Sequence, residues 1–276
     1  MQKKAGFVPT LLAFLKAIGY FAIWYGVSFV VSLIIQVALA YAYPNDGVDT
    51  FIYRVNSLSY GITLICNAVV IFIFAIYYRF RGTGLFSQAS LVKAKPAIII
   101  SSITLGAASL FVVNYILSLL SLVLPSEWYD ALAELPMGNF QENQVVAFLS
   151  VALLAPLCEE IVFRGLIAKV LGTRVPTWLA VTISALAFGL VHNSSGPLAI
   201  FYATAMGILF GWLFFRTKSL VPCVLAHATF NIVSFFSDKI NPDFFMMITY
   251  ASFIVIFISI FNIIKATKED KTDEDL

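Results

Sequence analysis

Eight apolar runs separated by polar breaks organise the chain: residues 14–42, 58–78, 96–124, 144–168, 176–192, 198–215, 220–237 and 243–264. A helix needs about 20 apolar residues to cross the hydrocarbon core of a bilayer, and these runs are of that order or longer. Apolar residues run on continuously instead of alternating in segments of about ten, so the pattern predicts membrane helices and not a transmembrane β-barrel. The breaks are short except 43–57, 79–95 and 125–143, which read as loops, and Lys265–Leu276, a charged tail expected to be disordered. No stretch between the runs could form a soluble domain, and no internal repeat is visible. The expected fold is all-α: a polytopic transmembrane helix bundle of about eight spans. Residues 1–143 would hold the first three helices, 144–237 the next four, and 238–276 the last helix and tail.

Composition agrees. Apolar residues make up 61% of the 276 and charged residues only 12%, with mean hydropathy +0.93, whereas a soluble domain is about a quarter charged. A net charge of +2 leaves no basic footprint, which excludes nucleic acid as a partner. With the N-terminus placed inside, fourteen of the seventeen Lys and Arg residues fall on the cytoplasmic side. Arg54 and Lys239 fall outside, and Arg164 remains within a run. This asymmetry predicts that both termini are cytoplasmic. The acids of the 125–143 loop, Glu127, Asp130, Glu134 and Glu142, fall outside. The three cysteines, Cys66, Cys158 and Cys223, are scattered through apolar runs and read as small buried hydrophobes.

Once the loops have claimed their charges, Glu159, Glu160 and Arg164 remain in the fourth run. A charge near the centre of a membrane helix costs about 2.5–3.5 kcal/mol, so three within six residues need a reason. Glu160 and Arg164 are i,i+4 and can pair on one face. Glu159 lies about 140° around the helix from Arg164 and points elsewhere, a free and desolvated carboxylate suited to general-base work. Pro156 just upstream removes a backbone donor and predicts a kink. The alternative is an ion cluster that merely fixes helix packing.

The chain has two histidines. His192 closes the fifth run, and His227 shares a helix face with Asn231 in the seventh. Each alone could be a satisfied core residue, but three runs supplying such groups together point to a site. A Glu with a His can hold and deprotonate a water, and a His with an Asn can stabilise a developing oxyanion, which is chemistry for hydrolysing an amide or ester. Glu, His and His could instead hold zinc, although no HExxH motif preloads a helix face. A Cys158 nucleophile is disfavoured because two adjacent carboxylates oppose a thiolate.

Glu159-Glu160-x-x-x-Arg164, Phe188-x-x-x-His192 and His227-x-x-x-Asn231, in that order on successive runs, resemble the CAAX-protease and bacteriocin-processing family. That family includes CAAX prenyl protease 2 and the lysostaphin-resistance-protein-like proteins of bacteria. The resemblance covers residues 144–237; the first three runs match it only in being hydrophobic. It implies an intramembrane endopeptidase of the bacterial plasma membrane, acting on membrane-associated peptides or proteins in peptide maturation or bacteriocin immunity. By motif position, Glu159 and His192 would activate water, His227 and Asn231 would stabilise the oxyanion, and Glu160 and Arg164 would support the site. No cofactor is expected to be required; if the enzyme is metal-dependent, Glu159, His192 and His227 would bind zinc. The resemblance favours access from the cytoplasm. Competing readings are a non-enzymatic membrane scaffold or immunity factor that regulates a partner protein, and a small transporter, which the lack of an inverted repeat disfavours.

One expectation conflicts with this site. Counted from the cytoplasmic ends at about 1.5 Å per residue, His227 lies about 10 Å deep, Glu159 about 15 Å and His192 about 25 Å. Elsewhere, Ala203-x-x-x-Gly207-x-x-x-Gly211 predicts close helix packing, and Asn67 and Asn114 predict helix–helix hydrogen bonds. Trp24, Trp128, Trp178 and Trp212 include expected interfacial anchors.

Overall fold

The computed structural model describes residues 6–128, 143–193 and 196–274. Asp130, Glu134 and Glu142 of the acidic 125–143 loop therefore lie outside the described residues, as do Lys3 and Lys4. The elements are α1 (Phe7–Ala42), α2 (Val48–Ser57), α3 (Ser59–Phe80), a single turn α4 (Leu85–Gln88), α5 (Pro96–Leu120), α6 (Gln144–Gly172), α7 (Thr177–Leu190), α8 (Gly196–Thr217), α9 (Val221–Phe236) and α10 (Pro242–Glu274). Among the described residues there is no strand.

All eight apolar runs are helical. Six of the helices (α1, α3, α5, α6, α8 and α10) are long and apolar enough to cross a membrane, while α7 and α9 are apolar but shorter. The chain is an all-α, multi-pass membrane protein. Two expected loops are partly helical. Residues 48–57 form the amphipathic α2, with Arg54 paired to Asp46 at 2.9 Å and stacked over Tyr43. Between α3 and α5 the chain folds inward, burying Leu85 and Ala89. The charged tail from Lys265, expected to be disordered, instead continues α10 through Glu274. Its first residues are held by neighbours: Arg216 donates to Thr267 Oγ1 and to the Ile264 carbonyl, and Lys95 donates to the Ala266 carbonyl.

α6 is the central element. Its C-terminal half packs on α1, α7 and α8, and its N-terminal half on α3 and α9; α5 joins α9 to α10. Residues 158 and 160–168 are buried without a break, so this helix is apolar all round except where the site requires otherwise. Trp24, half-buried, packs edge-on against Phe163 of α6 (centroids 5.3 Å). Trp178, at the start of α7, is 69% exposed.

Small residues set the close approaches. A Cβ on Gly106 of α5 would overlap the Ala226 carbonyl of α9, the residue before His227. The Ala203/Gly207/Gly211 face packs as expected: Gly207 lies against Ala185 and the Arg164 guanidinium, and Gly211 against Val181. Asn114 differs from expectation, because its side-chain amide donates to Leu110 of its own helix and not to a neighbour.

Candidate active site

α6 is not a regular α-helix. Residues Leu149–Leu154 and Ile161–Ala168 are wound as π-helix, with Ala155–Glu160 as an α turn between them. The first widened stretch accommodates Pro156, so the expected kink takes the form of a change of register. The Ala155 N–H donates back five residues to Ser150, and Pro156 has no N–H to offer Val151. The Val151 carbonyl is thereby left without a helical donor. Asn231 of α9 supplies one, Nδ2 to the Val151 oxygen at 2.8 Å.

The α turn carries the two glutamates, and they diverge as the helical spacing predicts. Glu160 is fully buried and its Oε1 accepts from Arg164 Nη1 at 2.9 Å. The same oxygen accepts from His227 Nδ1, also at 2.9 Å. A carboxylate offers only acceptors here, which assigns the proton to Nδ1 and leaves Nε2 to face the other way. Nε2 looks towards Glu159, 3.8 Å from its Oε2. That separation is long for a direct hydrogen bond, and one water can touch both groups across it.

Aromatic rings hold this constellation. Phe210 stacks on the His227 imidazole (4.9 Å, 23°), and Phe188 meets the same ring edge-on at 5.8 Å. The Arg164 guanidinium lies over Phe188 at 4.5 Å and Phe210 at 5.5 Å, so the two rings embrace both cationic-type side chains. Phe188 also touches the ring of His192 at 4.7 Å. His192 sits on the turn that ends α7, its Nδ1 bonded to the Phe188 carbonyl at 2.8 Å.

Glu159, His192, His227 and Asn231 all line one cavity of about 250 Å³, together with Phe188, Phe210, Tyr202 and Met206. The sequence-predicted residues are therefore brought together. They differ in burial, and the cavity spans the difference: His227 is buried at its floor and His192 is half-exposed at its rim. Cys158 is fully buried and does not line it. The donors Glu159, His192 and His227 are of a type that binds zinc, each histidine having Nδ1 already engaged. Among the described residues, however, no three His, Cys, Asp or Glu side chains are grouped closely enough to hold a metal ion.

Two features were not foreseen from the sequence. The bond from Glu160 to His227 joins residues 67 positions apart, and no local spacing announces it. Tyr202, Met206 and Phe210 line the cavity from one face of α8 at i,i+4,i+8, a spacing that is legible but reads equally as core.

Residues 141–233 match the family model described as Type II CAAX prenyl endopeptidase Rce1-like. The family resemblance carried by the three motifs thus holds over the segment that supplies most of the cavity lining. The chain is 35% identical over 80 residues to a Bacillus subtilis (strain 168) protein named membrane peptidase YdiL, covering 29% of this chain and 32% of that protein. It is 32% identical over 99 residues to the membrane-embedded CAAX protease MroQ of Staphylococcus aureus (strain USA300), covering 34% and 39%. An uncharacterized protein of Mycoplasma capricolum is 35% identical over 92 residues, 33% of this chain and 26% of that one. The chain thus matches about a third of the length of these relatives. No solved structure matches.

Proposed function

We propose that this chain is an intramembrane endopeptidase that hydrolyses peptide bonds of membrane-associated peptides or proteins with a water activated by Glu159. The observation that carries the proposal is the division of labour between adjacent glutamates. Glu160 is neutralised by Arg164 and spent on orienting His227, while Glu159 stays unpaired by any guanidinium and faces the cavity. A cluster built only for packing would have no need of the second carboxylate, which costs several kcal/mol to desolvate.

In this reading Glu159 takes a proton from a water held between it and the neighbouring imidazoles, and the resulting hydroxide attacks the scissile carbonyl carbon. To donate to the oxyanion as well as to Glu160, His227 must carry a proton on both ring nitrogens. In that form Nδ1 still donates to Glu160, and Nε2 becomes a donor to the oxyanion. Asn231 contributes its second amide hydrogen, the first being held by Val151. His192, on the opposite wall, assists in holding the water. The protonated Glu159 then delivers its proton to the leaving amine. Every step is carried by residues of this chain, and the proposal is of a metal-independent, glutamic-type enzyme with both termini in the cytoplasm.

The test compares membrane peptides in cells carrying the wild-type protein and Glu159→Gln at equal abundance. A peptide that accumulates uncut only in the variant supports the reading. Identical peptide profiles, with the cellular phenotype intact in both Glu159→Gln and His192→Ala, would leave a non-enzymatic scaffold as the function. Zinc content of the purified protein, with activity after chelation, decides the mechanism: stoichiometric zinc and chelator-sensitive cleavage would overturn the metal-independent route.

A further inference from the structure

The cavity has a direction. Its floor consists of Met206, Phe210 and His227, all buried, and its rim includes Tyr60, His192 and Phe235, all partly exposed. The rim residues stand at one end of the bundle. Tyr60 is the second residue of α3, His192 follows the last turn of α7, and Phe235 is next to last in α9. On α6 the lining comes from Val151, Ala155 and Glu159, and from nothing C-terminal to Glu159.

The other end of the bundle is tied together by side-chain hydrogen bonds. Tyr78 bonds Tyr20 at 2.7 Å, Lys169 bonds Ser90 at 2.7 Å, Ser219 bonds the Val92 carbonyl at 2.6 Å, and Arg216 bonds Thr267 at 2.8 Å. That closed end carries the basic residues, including Arg79, Arg81, Lys93, Arg174 and Lys218. The open end has Arg54, occupied by Asp46 and Tyr43, and Lys239, which lies over Phe236. Cytoplasmic access, which the family resemblance favours, and a cytoplasmic basic end therefore cannot both hold.

The charge asymmetry is the property that membrane insertion reads. We infer that the cavity opens to the extracytoplasmic face, and that the bond it accepts lies in the outer half of the bilayer. The lining has no Lys or Arg and no carboxylate besides Glu159, and it is rich in aromatic rings. Its substrate is the outer end of an uncharged, apolar membrane-inserted segment, and not a cytoplasmic C-terminus. The substrate rests on the protease reading above; the facing of the cavity does not.

Single cysteines at Asn193 (rim end), Ser234 (cavity wall) and Lys93 (closed end), made in the full chain, test the facing; the native cysteines are buried and contribute little background. The probe is a charged, membrane-impermeant methanethiosulfonate, applied to intact and to permeabilised cells. Asn193→Cys and Ser234→Cys should label in intact cells to the level reached after permeabilisation, and Lys93→Cys only after it. The reverse pattern, or a Ser234→Cys reached only from the Lys93 side, would overturn the inference. The labelling should be the same with Glu159→Gln added, because it needs no turnover. A cleavage product recovered outside the plasma membrane supports the substrate class, and one confined to the cytosol overturns it. Expected labelling with no product at all would sink the protease reading and leave the facing in place.

Discussion

His227 and Arg164 share one oxygen: Oε1 of Glu160 accepts from Nδ1 of the first and Nη1 of the second, each at 2.9 Å. The guanidinium neutralises the carboxylate, and the carboxylate orients the imidazole, so a residue that never reaches the cavity controls one that does. Adjacent glutamates consequently answer differently to the same substitution.

Glu160→Gln leaves Arg164 buried with a neutral partner and loosens His227. The expected loss of stability is about 3–5 kcal/mol, as when one member of a buried ion pair is removed. Glu159→Gln, at the cavity wall, should change stability by less than about 1 kcal/mol while reducing cleavage about 10²–10⁴-fold, the scale of a lost general base. Thermal unfolding in detergent beside cleavage of an accumulated peptide checks both; equal destabilisation by the two would show that they share one role.

Asn231→Ala removes the donor to Val151 and should cost about 1–3 kcal/mol for the buried carbonyl left alone. Asn231→Asp should cost more, since it sets an acceptor against an acceptor. Pro156→Ala restores an N–H five residues after Val151, the spacing the π turn requires. The double variant Pro156→Ala/Asn231→Ala should therefore be more stable than the sum of its parts by about 0.5–1.5 kcal/mol. Strict additivity in unfolding midpoints would mean that Asn231 does not serve that carbonyl.

Gly106→Ala is expected to destabilise by about 1–3 kcal/mol or more, because the added methyl meets the Ala226 backbone and not a side chain that can swing away. Its effect on cleavage should exceed what the loss of folded protein explains, since Ala226 carries His227. Activity per folded molecule, measured below the unfolding transition, distinguishes displacement from simple instability.

Lys169→Met breaks the bonds that hold the inward-folded segment at Gln88 and Ser90, both remote from the cavity. Stability should fall by about 1–2 kcal/mol while cleavage per folded molecule is retained. A large fall in specific activity would extend the site to the closed end of the bundle.

Much of the site was legible before the fold. The spacing of Glu159, Glu160 and Arg164 separates a paired from an unpaired carboxylate by helical geometry alone, and the coordinates keep that separation. The partner of His227 was not legible, because the contact joins α6 to α9 and depends on how α5 seats α9 through Gly106. The Val151–Asn231 bond was hidden for a related reason: Pro156 announces a missing donor, but which carbonyl is orphaned depends on the π register. The charged tail misled in the opposite direction. Lys265 and its neighbours look solvated in sequence, yet Arg216 and Lys95 bind the backbone carbonyls around them and anchor α10 where the tail begins.

The charge count of the α6–α9 cluster also bears on how the protein is made. α6 enters the membrane with two glutamates and one arginine, and His227, the residue that meets both glutamates, arrives on α9, three helices later. Until then a net charge worth about 2.5–3.5 kcal/mol sits in a span with no partner. Such a segment is expected to be costly to release into lipid before α9 is there to pack on it. One contact would then serve both biogenesis and the proposed chemistry, and a substitution at His227 is expected to be seen first as a protein that is slow to leave the translocon.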